Sequence, residues 1–187
     1  MRVLVVELAE NLSKALEQAG YEVAASLTSP AALLKTIERV QPDVIAIDTE
    51  SPSPDLVEHL VLVSQHGPRP VVMFARDGTA QAIREAVRAG VSAYVVDGLD
   101  ARRMRTIVDV AVARFEDFQR LRSELAEANL KLSERKLVER AKGIVMKTRG
   151  LDEDAAYAFL RKTAMDRKLK LGEVAQRLVD AADLLGA

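Results

Sequence analysis

The chain contains no cysteine and no tryptophan, and aromatic residues make up only 4% of its 187 residues. Without cysteine there can be no disulfide, no thiolate nucleophile and no thiolate metal site, which suits a reducing compartment. Long hydrophobic runs are also missing. The N-terminus, MRVLVVELAEN, has a short apolar run before Glu7, too short for a signal-peptide core or a membrane span. A soluble, cytoplasmic protein with no membrane attachment is expected. No enzymatic activity, bound metal or cofactor is expected either.

What is present suffices for a folded protein. Hydrophobic residues reach 49% and charged residues 29%. The length fits one domain of ordinary size plus a smaller module. The net charge of −1 hides an asymmetry. Residues 131–187 carry 13 Lys and Arg against 9 Asp and Glu, so they are +4, which leaves −5 for residues 1–130. A basic C-terminal part points to an anionic partner or to an ordinary solvated helix surface.

Residues 1–118 alternate between two patterns. Short β-branched runs occur at 3–6, 22–26, 43–48, 70–74 and 93–96. Helical spacing fills roughly 11–19, 30–40, 55–65, 79–89 and the chain from 99 onward. Strands that alternate with helices predict a parallel sheet covered on both faces, and continuous apolar runs suit such strands. Gly20 and Gly90 fall just past helix ends, and Ser29-Pro30 supplies a cap and a first-turn proline.

The texture then changes. From Phe115 to Arg149 there is no proline, and the first glycine is Gly143. Phe118, Leu121, Leu125, Ala128 and Leu132 follow heptad spacing. This predicts a helix that leaves the first domain and pairs with a second copy. Two more helices follow, one from an Asp152 cap to about Arg167 and one from about Glu173 to Leu185. Val174, Leu178, Ala181 and Leu185 form the expected buried stripe of the last helix, and residues 169–172 the turn before it.

Five βα units with acidic residues at strand ends resemble the receiver domain of response regulators, over about residues 1–118. Receivers place an acidic pair after the first strand, and here that pair reads Glu7-Leu8. Asp48 stands at the phosphoacceptor position, with Pro52 four residues on. The position of a phosphoryl-binding Thr or Ser is Ala75, and the Lys-Pro position reads Asp97-Gly98. Phosphoryl transfer requires Mg²⁺ and cationic stabilisation. The resemblance therefore implies that Asp48, with Glu7, is an inactive relic, and that repulsion from Asp97 adds to the loss. Tyr94 matches the receiver's switch aromatic or is simply a packed strand residue.

The tail carries a second resemblance. Ala141-Lys142-Gly143 with Met146, the segment Ala155 to Leu160 followed by Arg161, Ala164-Met165, the basic turn Arg167, Lys168 and Lys170, and Val174-Ala175 resemble the ANTAR module of bacterial antiterminators over residues 134–185. IDTESPSPD, LVLVSQHGPRPVVMF and GVSAYVVDG are similar to NasT-type nitrate-responsive antiterminators in particular. The implied fold is α/β: a five-stranded, doubly wound, CheY-like receiver, then a long coiled-coil helix and a three-helix ANTAR module. The implied boundaries are 1–114, 115–133 and 134–187.

The implied function is antitermination. The protein would bind leader mRNA bearing two hairpins with six-nucleotide loops and block the terminator. A nitrate/nitrite sensor protein of the NasS type would control it, and it would act as a homodimer through residues 115–135. Lys142, Gly143, Arg161, Arg167, Lys168 and Lys170 are the candidate RNA-binding residues. The alternative is a phosphorylation-controlled two-component regulator.

Overall fold

The computed structural model describes residues 1–8, 12–97 and 99–185, without the side chain of Leu185. Gly98 and the expected helix start at residue 11 lie outside the described residues. The elements run β1 (Arg2–Glu7), α1 (Leu12–Gln18), β2 (Glu22–Leu27), a 3₁₀ turn (Pro30–Ala32), α2 (Leu33–Val40), β3 (Val44–Thr49), α3 (Pro54–His66), β4 (Val71–Ala75), α4 (Ala80–Arg88), β5 (Ala93–Val96), α5 (Ala101–Arg149), α6 (Glu153–Arg167) and α7 (Leu171–Leu185). All five expected strands and their intervening helices are present. The chain divides into two compact units, Met1–Gln119 and Arg120–Ala187, each with its own core.

The first unit is a parallel sheet in the order β2-β1-β3-β4-β5. Successive side chains on a strand point to opposite faces, and the cores follow that period. Leu4, Val6, Ile45, Ile47 and Met73 pack on one side against Leu33, Ile37, Leu56 and Leu60 of α2 and α3. Val3, Val5, Ala46 and Phe74 pack on the other against Leu12 and Leu16 of α1 and Met104 and Val108 of α5. Both faces of β3 and β4 are therefore buried, which is why their sequences read as unbroken apolar runs. Each fully buried Leu or Ile contributes roughly 1.5–3 kcal/mol.

Local signals set the helix ends. Ser53 accepts a hydrogen bond from the Leu56 N–H at 3.2 Å, and Thr79 from the Ala82 N–H at 3.3 Å. Gly20 and Gly90 take positive φ, +88° and +104°, as expected past helix ends. Ser29 and Pro30 begin a 3₁₀ turn, and the α-helix itself starts only at Leu33.

The second unit packs the last part of α5 with α6 and α7. Ala141, Val145, Ala156, Leu160, Ala164, Val174, Ala175 and Val179 form its core. Asp152 caps α6 as expected, accepting from the Ala155 N–H at 2.7 Å. Two expectations need correction. The third helix begins at Leu171, not near Glu173, because the Glu173 carboxylate accepts the Lys170 N–H at 3.0 Å and closes the first turn. The left-handed residue of the turn is thus Lys168, at φ +54°, and Gly172 lies within the helix. The buried stripe is Val174, Ala175, Val179 and Ala182, while Leu178 is half-buried and Ala181 is exposed. A helix packed into a bundle buries a band wider than a single heptad row, and here that band runs between the rows. The side chain of Leu185 is outside the described residues.

α5 is one uninterrupted helix. Phe118, Leu121, Leu125 and Leu132 are 62%, 59%, 63% and 53% exposed. The heptad seam thus lies on a formed helix, and none of the described residues covers these four side chains.

Candidate nucleic-acid interface and the receiver pocket

The receiver pocket is built at the C-terminal ends of β1, β3 and β4. Parallel register places Glu7 beside Asp48 and Thr49 beside Ala75. Asp48 is buried. The Glu7 carboxylate accepts from the Ser13 hydroxyl at 2.9 Å and from its N–H at 3.3 Å. Burial, and then the charge of Glu7, push the Asp48 carboxyl above the usual aspartate range, Arg76 opposes them and Glu50 adds to the rise.

The like charges that act on the Asp48 carboxyl itself are those of Glu7 and Glu50. Asp97 is exposed with φ +47°, and its N–H donates to the Ala75 carbonyl at 3.2 Å. A cation does stand near, contrary to expectation, but Arg76 is paired with Glu50. Among the described residues no three acidic or histidine side chains gather to hold a metal ion. Tyr94 packs against the core, and its hydroxyl donates to the Asp77 carbonyl at 2.6 Å.

The candidate RNA residues of the second unit do not share one environment. Lys142 is nearly buried, and its Nζ lies 2.6 Å from Glu139 and 2.7 Å from Glu153. Hydrogen bonds to Glu139 and then Glu153 hold its ammonium above the ordinary lysine range. It ties α5 to the first turn of α6, and its charge is already answered by two carboxylates. Arg161 is exposed on α6, and Arg167, Lys168 and Lys170 are exposed around the α6–α7 turn. Among the described residues, no carboxylate pairs with any of these four.

Gly143 is exposed, and a Cβ added there would meet no heavy atom within 4 Å. No neighbouring helix among the described residues therefore explains it. It sits in a shallow groove with Arg140, Ile144, Lys147 and Thr148. Gly143→Ala is expected to stabilise the second unit by up to about 1 kcal/mol, the helix-propensity difference. A thermal melt checks this. A lowered melting temperature would show that the position is crowded, and weaker RNA binding at raised stability would show that RNA backbone approaches there.

A cleft of about 390 Å³ in the same unit joins Arg167, a sequence candidate, to Arg149, Phe159 and Arg177, which the sequence reading did not single out. The Arg149 guanidinium lies 4.1 Å from the centroid of the Phe159 ring. The basic asymmetry of the tail was the only trace of this cluster in one dimension.

The sheet order, the acidic pocket and the separate basic helical unit define a receiver-type protein with an appended helical module. The chain belongs to the response regulator receiver family, whose domain matches residues 5–109, and it carries an ANTAR domain over residues 126–179. It is 27% identical over 183 residues to the transcriptional regulatory protein PdtaR of Mycobacterium tuberculosis, covering 96% of this chain and 89% of that protein. Over 83 residues it is 32% identical to the nitrate regulatory protein of Klebsiella oxytoca, covering 44% of this chain and 21% of that protein. Among solved structures, a CheY-like receiver domain protein from Methanospirillum hungatei superposes with a TM-score of 0.52 at 20% identity, covering 62% of this chain and 96% of that one. That likeness concerns the fold alone. None of these matches is to an enzyme family, and no helix among the described residues is long and apolar enough to cross a membrane.

Proposed function

We propose that the chain is an RNA-binding transcription antiterminator, with a receiver over 1–114, a coiled-coil linker helix over 115–133 and an RNA-binding module over 134–187. The observation that carries this reading is the ANTAR match on a unit whose exposed Arg161, Arg167, Lys168 and Lys170 have no carboxylate partner among the described residues. Cations left unpaired on one small unit suit phosphates, and RNA specificity resides in unpaired loop bases. The ligand is leader mRNA with paired hexaloop hairpins. Two hairpins call for two modules, which a homodimer through the exposed seam at residues 115–135 supplies.

Control by a sensor protein of the NasS type, and not by phosphorylation, suits the receiver pocket. Ala75 lacks the hydroxyl, Leu8 replaces a carboxylate, and Asp97 stands at the lysine position. The 83-residue likeness to a nitrate regulatory protein supports nitrate or nitrite assimilation genes as the target.

The test is a gel shift with a two-hairpin RNA. If four cations each displace one counterion, affinity falls on the order of 50-fold between about 50 and 200 mM salt. Equal affinity for RNAs with scrambled loops would overturn the reading. Incubation with acetyl phosphate and Mg²⁺ is expected to leave the mass unchanged. A label that Asp48→Asn abolishes would establish the phosphorylation-controlled alternative.

A further inference from the structure

The cleft in the second unit has a composition that the core of a small bundle does not require. Its inner wall is apolar: Val145 and Val174 are buried, and Phe159 and Leu178 are half-buried. Its rim carries three guanidinium groups, those of Arg149, Arg167 and Arg177, from three different helices. Some cations of this unit are answered by carboxylates, as in Arg140 with Asp183, Lys131 with Glu127, and Lys142 with Glu139 and Glu153, while others, such as Arg161, Lys168 and Lys170, stand singly on the exposed surface. Among the described residues, no carboxylate pairs with Arg149, Arg167 or Arg177. Three like charges around one opening repel each other, and an anion relieves that repulsion.

An apolar wall with one aromatic ring beneath a cationic rim suits a nucleotide, which is a flat base joined to a phosphate. The volume of about 390 Å³ lies at the small end of ligand sites, large enough for one nucleotide and too small for a duplex. Two threonines line the cleft and sharpen the choice of base. The Thr148 hydroxyl donates to the Ile144 carbonyl and the Thr163 hydroxyl to the Phe159 carbonyl, each at 2.8 Å. Their protons are committed, so toward the cleft these oxygens can only accept. An exocyclic amino group brings two N–H donors to these two oxygens, whereas uracil brings only its single N3–H.

We propose that this cleft receives one unstacked nucleotide of an RNA loop, with its base along Phe159 and Arg149 and its phosphates on Arg167 and Arg177, in preference for amino-bearing bases. The site rests on the RNA-binding reading above and adds to it a place and a base preference. Arg149 already stacks on Phe159, so the cleft presents a formed stacking surface before any ligand arrives.

The experiment uses the full chain and fluorescent hairpins with a randomised six-nucleotide loop, selected for retention by the wild-type protein. Arg177→Gln and Phe159→Leu are each expected to weaken binding of the selected pool by about tenfold or more. Lys162→Gln, on the exposed face of α6 away from the cleft, is expected to stay within twofold. Hairpins with adenosine loops should bind better than those with uridine loops, and Thr163→Val should erase that preference. Phe159 supports the core, so melting curves accompany each variant, and Arg177 on the exposed rim keeps the test decisive if Phe159→Leu unfolds. If the wild type retains hairpins while Arg177→Gln binds within twofold of it, the cleft is not the site and the RNA-binding reading survives. If the wild type retains no hairpin, both fall. Adenosine monophosphate that binds as tightly as the hairpins would assign the cleft to a free nucleotide and overturn the RNA-loop proposal.

Discussion

Replacing Leu121 and Leu125 together with glutamate is expected to convert the protein from dimer to monomer and to weaken two-hairpin RNA binding by about 10²- to 10⁴-fold. Both side chains lie on a formed helix and are about three-fifths exposed, in line with Phe118 and Leu132. Burying one leucine contributes roughly 1.5–3 kcal/mol. Four substituted positions per dimer therefore forfeit on the order of 6–12 kcal/mol before charge repulsion is counted. The helix is already ordered in the chain, so pairing along a seam of about two heptads need not bear the cost of nucleating it. The loss in RNA affinity is the loss of effective concentration when two modules are no longer linked. Sedimentation of the free protein and a gel shift on one- and two-hairpin RNAs measure the two effects separately. A double variant that still sediments as a dimer would place the interface elsewhere. One that is monomeric yet binds two-hairpin RNA normally would sever the dimer from recognition.

Leu160→Ala is expected to unfold most of the second unit while leaving the sheet of the first intact. Leu160 is fully buried, and the core around it is mostly alanine and valine, so little else can fill its place. Truncating a buried leucine costs about 2–5 kcal/mol. A unit of this size has a total stability of only several kcal/mol, at roughly 0.05–0.15 kcal/mol per residue. Its core shares no residue with the two clusters flanking the sheet, so the damage should stay local. Calorimetry should show one transition lost and the other unmoved, and RNA binding should disappear with the lost one. A single cooperative transition shifted as a whole would show that the two units unfold together.

Some of the site was legible in one dimension. Asp48 and Glu7 were legible through the resemblance to receivers, and the structure brings them together because β1 lies beside β3 in parallel register. The basic turn Arg167, Lys168 and Lys170 follows from a short stretch between two helical patterns, which has no core to enter. Lys142 was not legible. Its spacing put it off the apolar face, yet Glu139 one turn back and Glu153 on the next helix enclose it. Arg149 and Arg177 escaped because nothing in their own segments distinguishes a cation facing a cleft from one facing water.

The sequence by itself determined the order of strands and helices, the doubly covered sheet, the uninterrupted α5 and the seam along it. These depend on periodicity and on caps within a few residues, which a linear pattern contains. Tertiary structure alone decided which charges are spent and which are available. Lys142 is neutralised by a residue on another helix, Arg76 is held by Glu50, and three arginines from α5, α6 and α7 are left together around Phe159. Electrostatic pairing acts through space over a few ångströms. Which charges come that close is settled only when the helices have packed.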